Sequence, residues 1–91
     1  MAAKRVRVLV SGDVQGVGFR WTCRERASLE GLGGYVRNLP DGRVEAEFEG
    51  DEVSVDRMVA WCRQGPNWGR VDRIQVEDLP VEGQDQFVIT R

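Results

Sequence analysis

Histidine does not occur in this 91-residue chain. Its absence removes Ser-His and Cys-His nucleophilic systems, the commonest general base and the commonest metal ligand. Any chemistry must be carried by arginine, asparagine, carboxylates and backbone amides. Cysteine is scarce: Cys23 and Cys62 are the only two. They stand far apart and in no paired motif, which speaks against a metal or redox site. Both fall on apolar faces of expected helices, so buried, reduced thiols are the favoured reading. No run of 18 apolar residues occurs, so no transmembrane helix is expected. A basic excess is missing too: 13 Lys and Arg stand against 15 Asp and Glu, a net charge of −2. That argues against a nucleic-acid partner that depends on a basic surface. Linkers, repeats and low-complexity segments are absent. Residues 1–91 are expected to form one domain, and the hydrophobic fraction of 41% with 31% charged residues fits a soluble globular protein. The basic start, Met1 to Arg7, has no apolar stretch behind it and reads as a cytoplasmic N-terminus.

What is present is alternation and helical periodicity. Val6, Val8 and Val10 alternate with Arg5, Arg7 and Leu9, which predicts a half-buried strand over 5–11. Phe19, Cys23 and Ala27 recur every fourth residue, which predicts a helix over 19–30 that stops at Gly31. Strands are expected over 34–39 and 43–49, joined as a hairpin by Pro40-Asp41-Gly42. Asp51 is expected to cap a second helix over 52–64 that carries Val55, Met58, Val59 and Cys62 on one stripe. Gly65-Pro66 ends it. Strands over 71–79, with Ile74 and Val76 inward, and over 86–90 complete the chain.

The order β-α-β-β-α-β plus a terminal strand predicts an α+β, ferredoxin-like split β-α-β sandwich: an antiparallel sheet with two helices on one face. Parity assigns Arg5 and Arg7 to the other face, with Glu45, Glu47 and Glu49. That face is expected to be solvated and structural, with cross-strand ion pairs each contributing up to ~1 kcal/mol. Parity also turns Phe48 and Phe87 toward the helices and Tyr35 outward. Trp61 is expected to cover the edge of the second helix. Trp68 falls in a loop and receives no role.

The richest stretch lies between the first strand and the first helix: Gly12-Asp13-Val14-Gln15-Gly16-Val17-Gly18-Phe19-Arg20. Its three glycines permit φ > 0, so successive N–H groups can point inward as an anion nest. The helix start adds unpaired donors and partial positive charge. Arg20 adds a permanent planar cation suited to phosphate oxygens. A Walker loop is excluded, because the stretch ends in Phe-Arg where Gly-Lys-Ser/Thr would stand. A dinucleotide fingerprint is excluded by Trp21 where a small residue is needed. Glycine-rich turns are common and most surface arginines bind nothing, so the loop alone decides little. The topology adds Asn38. It shares parity with Val36 and sits at the end of the second strand, at the same sheet edge as the loop. Ordinary turn chemistry before Pro40 is the competing reading of that asparagine.

This loop, together with Gly34-Tyr35-Val36-Arg37-Asn38-Leu39-Pro40-Asp41-Gly42-Arg43-Val44, resembles the paired signature of the acylphosphatases. The resemblance covers nearly the whole chain, including Gly65-Pro66 and Phe87-Val88-Ile89. A departure is Leu29-Glu30 before Gly31, where members usually carry leucine next to the glycine; it concerns the register of the helix end. The resemblance implies hydrolysis of the carboxyl-phosphate anhydride of small acyl phosphates, without metal or cofactor. It matches Arg20 to the family's phosphate-binding arginine and Asn38 to its water-positioning asparagine. The amides of Gln15, Gly16, Val17, Gly18, Phe19 and Arg20 match its phosphate loop. Trp21 follows Arg20, where it could line the acyl side of a substrate or pack on its helix; packing is the favoured reading. A small-molecule substrate, no nucleic acid, no membrane and a monomeric state are expected. Two other readings use the same topology. An RNA-binding module would stack bases on open-face aromatics, where Tyr35 is the only candidate. A small-molecule sensor would bind without turnover. Similar modules also open large carbamoyl-transferring maturation proteins, but this chain has no zinc-finger cysteines and reads as the free-standing enzyme.

Overall fold

Alternating valines build the central strand of a sheet. Val6, Val8 and Val10 lie on β1 (Ala3–Asp13) and are fully buried in the computed structural model, which describes residues 2–91. The chain continues through α1 (Phe19–Leu29), β2 (Gly33–Asn38), β3 (Val44–Asp51), α2 (Glu52–Gln64), β4 (Arg70–Leu79) and β5 (Phe87–Ile89). The strands order as β4-β1-β3-β2-β5. The β1–β3 register sets Val6, Val8 and Val10 opposite Phe48, Ala46 and Val44, and β2 adds Val36 opposite Ala46. This row meets Phe19, Cys23 and Ala27 of α1 and Val55, Met58 and Cys62 of α2 in one core. The result is the ferredoxin-like α+β sandwich that the element order implies.

Several details differ from the sequence reading, each for a tertiary reason. β5 runs parallel to β2 at the edge opposite β4, so the sheet is mixed rather than antiparallel throughout. A three-residue strand carries no sequence signal for its direction. The first helix ends at Leu29, one residue early. Gly31 takes φ 73°, its N–H donates to the Ser28 carbonyl at 3.1 Å, and the Leu32 N–H donates to the Ala27 carbonyl at 2.9 Å. That is a Schellman closure, in which Gly31 supplies the left-handed residue and Leu32 is buried behind it. Asp51 makes no side-chain cap on α2. It is still paired to Ala3 in the ladder, and the Ala2 carbonyl accepts the Glu52 N–H at 3.1 Å. Trp61 is buried rather than covering an edge, with its ring centroid 5.0 Å from that of Phe19. The second helix faces α1 as well as the sheet, so its apolar stripe is wider than one face. Val76 is exposed because β4 is a sheet edge, while Ile74 packs against the core. Phe48 and Phe87 do face the helices, stacked 5.5 Å apart. Cys23 and Cys62 are free and buried, and burial pushes the Cys62 thiol up to about 12.

The charged face is solvated only in part: Arg7 and Arg37 stay half-exposed, whereas Arg5, Glu45 and Glu49 are buried. The segment between β4 and β5 crosses it. Glu82 and Gly83 donate their amides to Glu49 at 2.9 and 2.6 Å, and Arg5 Nη2 donates to the Gln84 Oε1 at 3.2 Å. Arg5 also pairs with Glu47 at 2.7 Å and Glu49 at 2.8 Å, and its side chain is 2% exposed. Glu45 receives Arg7 Nη2 at 2.8 Å and Arg37 Nε at 2.7 Å. The Tyr35 hydroxyl donates to Glu45 and Glu47 at 2.8 and 2.9 Å. Burial alone would raise the Glu45 and Glu49 carboxyls. For Glu45 the bonds from Tyr35, Arg37 and Arg7 outweigh it; for Glu49 the Glu82 and Gly83 amides and Arg5 do. Both carboxyls therefore sit below their ordinary value of 4.5.

Removing one partner from such a cluster strands the others without water. Arg5→Met is expected to cost about 3 kcal/mol in urea unfolding at pH 7. Because Glu45 and Glu49 are depressed in the folded state, their contribution is complete above pH 4.5 and is lost as pH falls through the folded values. Wild-type stability should therefore drop between pH 5 and pH 2 more steeply than that of Arg5→Met, as read from unfolding curves across that range.

Candidate active site

The loop after β1 owes its shape to glycine. Gly16 and Gly18 take φ 76° and 82°, a region closed to most side chains, and a Cβ at either would meet no atom. Gly18 is the N-cap of α1 and has no side chain to satisfy the helix start. The first paired helix amide is that of Thr22, which donates to the Gly18 carbonyl at 3.0 Å. From Gln15 to Trp21, the backbone amides donate to no acceptor among the described residues. A helix N-terminus with free donors carries partial positive charge.

Gln15 does more than contribute an amide. Its Nε2 donates to the Leu39 carbonyl at 2.8 Å and to the Arg43 carbonyl at 2.9 Å. These carbonyls belong to the β2–β3 hairpin, so the carboxamide ties the loop across the sheet edge to the end of β2. Sequence reasoning missed this role. A glutamine in a glycine loop gives no signal that its side chain will find two hairpin carbonyls.

Asn38, the last residue of β2, shares the buried side of the strand with Val36. Its Oδ1 is buried and receives no hydrogen bond. A buried acceptor left without a donor costs about 1–3 kcal/mol, so its persistence marks a site rather than a packing solution. Val14, Gly16, Gly18, Phe19, Arg20, Trp21, Asn38 and Ile89 line one pocket of about 290 Å³. Arg20 is exposed at the second position of α1 and enters no ion pair or hydrogen bond with the described residues. Of the residues singled out in the sequence, Gly16, Gly18, Phe19, Arg20 and Asn38 share this pocket. Val17 instead packs toward the core and lines a neighbouring groove. Trp21 is 59% exposed rather than packed on its helix, with the Arg24 guanidinium 4.4 Å from its ring centroid.

The arrangement is an α+β sandwich that presents unpaired amides, an unpaired guanidinium and an unpartnered carboxamide oxygen to one pocket at a sheet edge. Comparison with known proteins gives the family. Residues 6–89 match the sequence model of the acylphosphatases. An acylphosphatase of Rubrobacter xylanophilus is 59% identical over 80 residues, spanning 88% of this chain and 73% of that one. An acylphosphatase of Methylococcus capsulatus is 52% identical over 89 residues, 97% of each chain. The crystal structure of acylphosphatase from Bacillus subtilis superposes with a TM-score of 0.93 at 36% identity, covering 97% of this chain and 99% of that one. This chain belongs to the acylphosphatase family.

The Gln15 tie generates a test. Gln15→Ala removes two hydrogen bonds, expected to cost about 1–2 kcal/mol in denaturant unfolding. Amide order parameters for residues 15–18 should fall from rigid-backbone values of about 0.85 toward 0.6 or lower, while those of β1 and α1 stay unchanged.

Proposed function

We propose that the loop after β1 and the Asn38 carboxamide carry the hydrolysis of acyl phosphates that membership in this family assigns to the chain. In this reading the amides of Gln15, Gly16, Val17, Gly18, Phe19 and Arg20, together with the Arg20 guanidinium, hold the phosphoryl oxygens. Asn38 holds the attacking water. The observation that carries the reading is the buried, unpartnered Asn38 Oδ1 in the same pocket as Gly16, Gly18 and Arg20.

The chemistry suits a site without histidine. An acyl phosphate expels a carboxylate, whose conjugate acid has a pKa of about 4, so the leaving group needs no proton. Phosphoryl transfer runs through a loose transition state in which positioning and charge stabilisation dominate. Free amides and a guanidinium fixed around the phosphoryl group meet charge as it develops on the equatorial oxygens. The Asn38 Oδ1 accepts a hydrogen bond from water and aims its oxygen in line with the departing carboxylate. A carboxamide is a poor base, so the water's second role, loss of its proton, falls to a phosphoryl oxygen of the substrate. The products are a free carboxylate and inorganic phosphate.

The same reading treats residues 1–91 as one domain acting as a cytoplasmic monomer without a nucleic-acid partner. Its support is the net charge of −2 and the engagement of Tyr35, the one outward strand aromatic, by Glu45 and Glu47. Among the described residues no helix is long and apolar enough to cross a membrane.

The two side chains separate in kinetics. Arg20→Gln is expected to weaken inhibition by inorganic phosphate and to lower kcat/KM together. Asn38→Ala is expected to lose about 10²–10³ in kcat, or ~2.7–4 kcal/mol of barrier, while its inhibition constant for phosphate stays near wild type. Hydrolysis should be indifferent to a chelator. Wild-type turnover in Asn38→Ala would remove the water-positioning role.

A further inference from the structure

A second groove of about 340 Å³ adjoins the first, and the proposed chemistry does not use it. Gly18, Trp21, Thr22 and Arg26 of the α1 face form one side, and Trp68 of the α2–β4 connection the other. Gly18 and Trp21 line both pockets, so the two are continuous around the start of α1. The groove is aromatic and cationic. Trp68 is 86% exposed, Trp21 is 59% exposed, and Arg26 enters no ion pair with the described residues. Exposing two indoles to water is unfavourable by the apolar area left wet. Arg24 covers one face of the Trp21 ring; a ring has two.

In-line displacement decides what this groove is for. The leaving oxygen departs on the side opposite the attacking water. That water is assigned to Asn38 at the end of β2. The sheet order puts β2 and β4 on opposite sides of β1. The departing acyl group is therefore directed away from β2, toward the connection that enters β4, where Trp68 stands. Along α1, Gly18, Thr22 and Arg26 recur every fourth residue on one face leading away from the loop. At 1.5 Å per residue the face runs about 12 Å from Gly18 to Arg26, long enough to admit a ring as well as a methyl group.

We propose that this groove is the acyl subsite, and that Trp21, Trp68 and Arg26 select acyl phosphates whose acyl group is flat and aromatic. The inference rests on the assignment of the phosphoryl group to the loop and of water to Asn38. Indole faces take a planar acyl group by offset stacking, and the Arg26 cation favours the π-face of the same ring. Trp21 and Trp68 are specificity-determining residues here, with no part in the bond-breaking step.

The test compares benzoyl phosphate with acetyl phosphate. Each ratio of kcat/KM is referred to wild type, so the intrinsic difference between the two leaving groups cancels. Trp68→Ala is expected to lower the benzoyl-to-acetyl ratio by about fivefold to tenfold, mainly through KM for benzoyl phosphate. Trp68→Phe should restore most of it, and Arg26→Gln should move the ratio in the same direction as Trp68→Ala. Hydrolysis of acetyl phosphate that depends on Arg20, with ratios unmoved in Trp68→Ala and Arg26→Gln, overturns the subsite and leaves the loop assignment standing. Acetyl phosphate hydrolysis independent of Arg20 overturns the loop assignment, and the subsite falls with it.

Discussion

Two hydrogen bonds from one carboxamide fix the geometry on which the site depends. A loop with glycines at two left-handed positions has many conformations open to it. Gln15 bridges it to the Leu39 and Arg43 carbonyls, on the hairpin that also carries Asn38. Without that tie, the free amides of the loop and the Asn38 oxygen would belong to elements two strands apart, roughly 10 Å in the plane of the sheet. With it, they line one pocket. Preorganisation of this kind is what an electrostatic site requires, because donors that must first be gathered give back their advantage when charge develops.

The rest of the molecule separates scaffold from site by face. On one face the valine rows of β1, β2 and β3 and both helices make a dry core. On the other, Arg5 and Glu49 are sealed beneath the residues that lead into β5, and Glu45 is buried among Arg7, Tyr35 and Arg37. Buried ion pairs of this sort contribute less to net stability than to specifying one arrangement, here the path of the chain over the sheet. The free backbone amides of residues 15–21 collect at the edge where β1 ends, α1 begins and β2 ends, and both the unpaired Arg20 and the unpartnered Asn38 lie there.

Much of this was legible in the sequence, and the reasons are specific. Strict alternation in β1 and β3 and the fourfold recurrence of Phe19, Cys23 and Ala27 determine which side chains are buried. The same parity put Asn38 beside Val36 and at the loop's edge. Gly31 marked the end of α1 because only a left-handed residue closes the helix there. Local pattern could not reveal contacts made by distant segments. The Gln15 bridge needs hairpin carbonyls more than 20 residues away. The burial of Arg5 depends on Gln84, and the second face of α2 that buries Trp61 depends on where Phe19 lies. The parallel pairing of β5 with β2 depends on a connection that crosses the charged face. The groove between Trp21 and Trp68 likewise joins a helix to a loop that no periodicity relates.

The central claim is that the backbone donors of residues 15–20 and the Arg20 guanidinium hold a phosphoryl group. Titration of ¹⁵N-labelled protein with inorganic phosphate tests it most directly. The amide resonances of Gly16, Val17, Gly18, Phe19 and Arg20 should shift together along one saturable curve. In Arg20→Gln the same resonances should need far more phosphate to move. Shifts centred on any other part of the molecule, or loop amides that stay still as phosphate is added, would contradict the account.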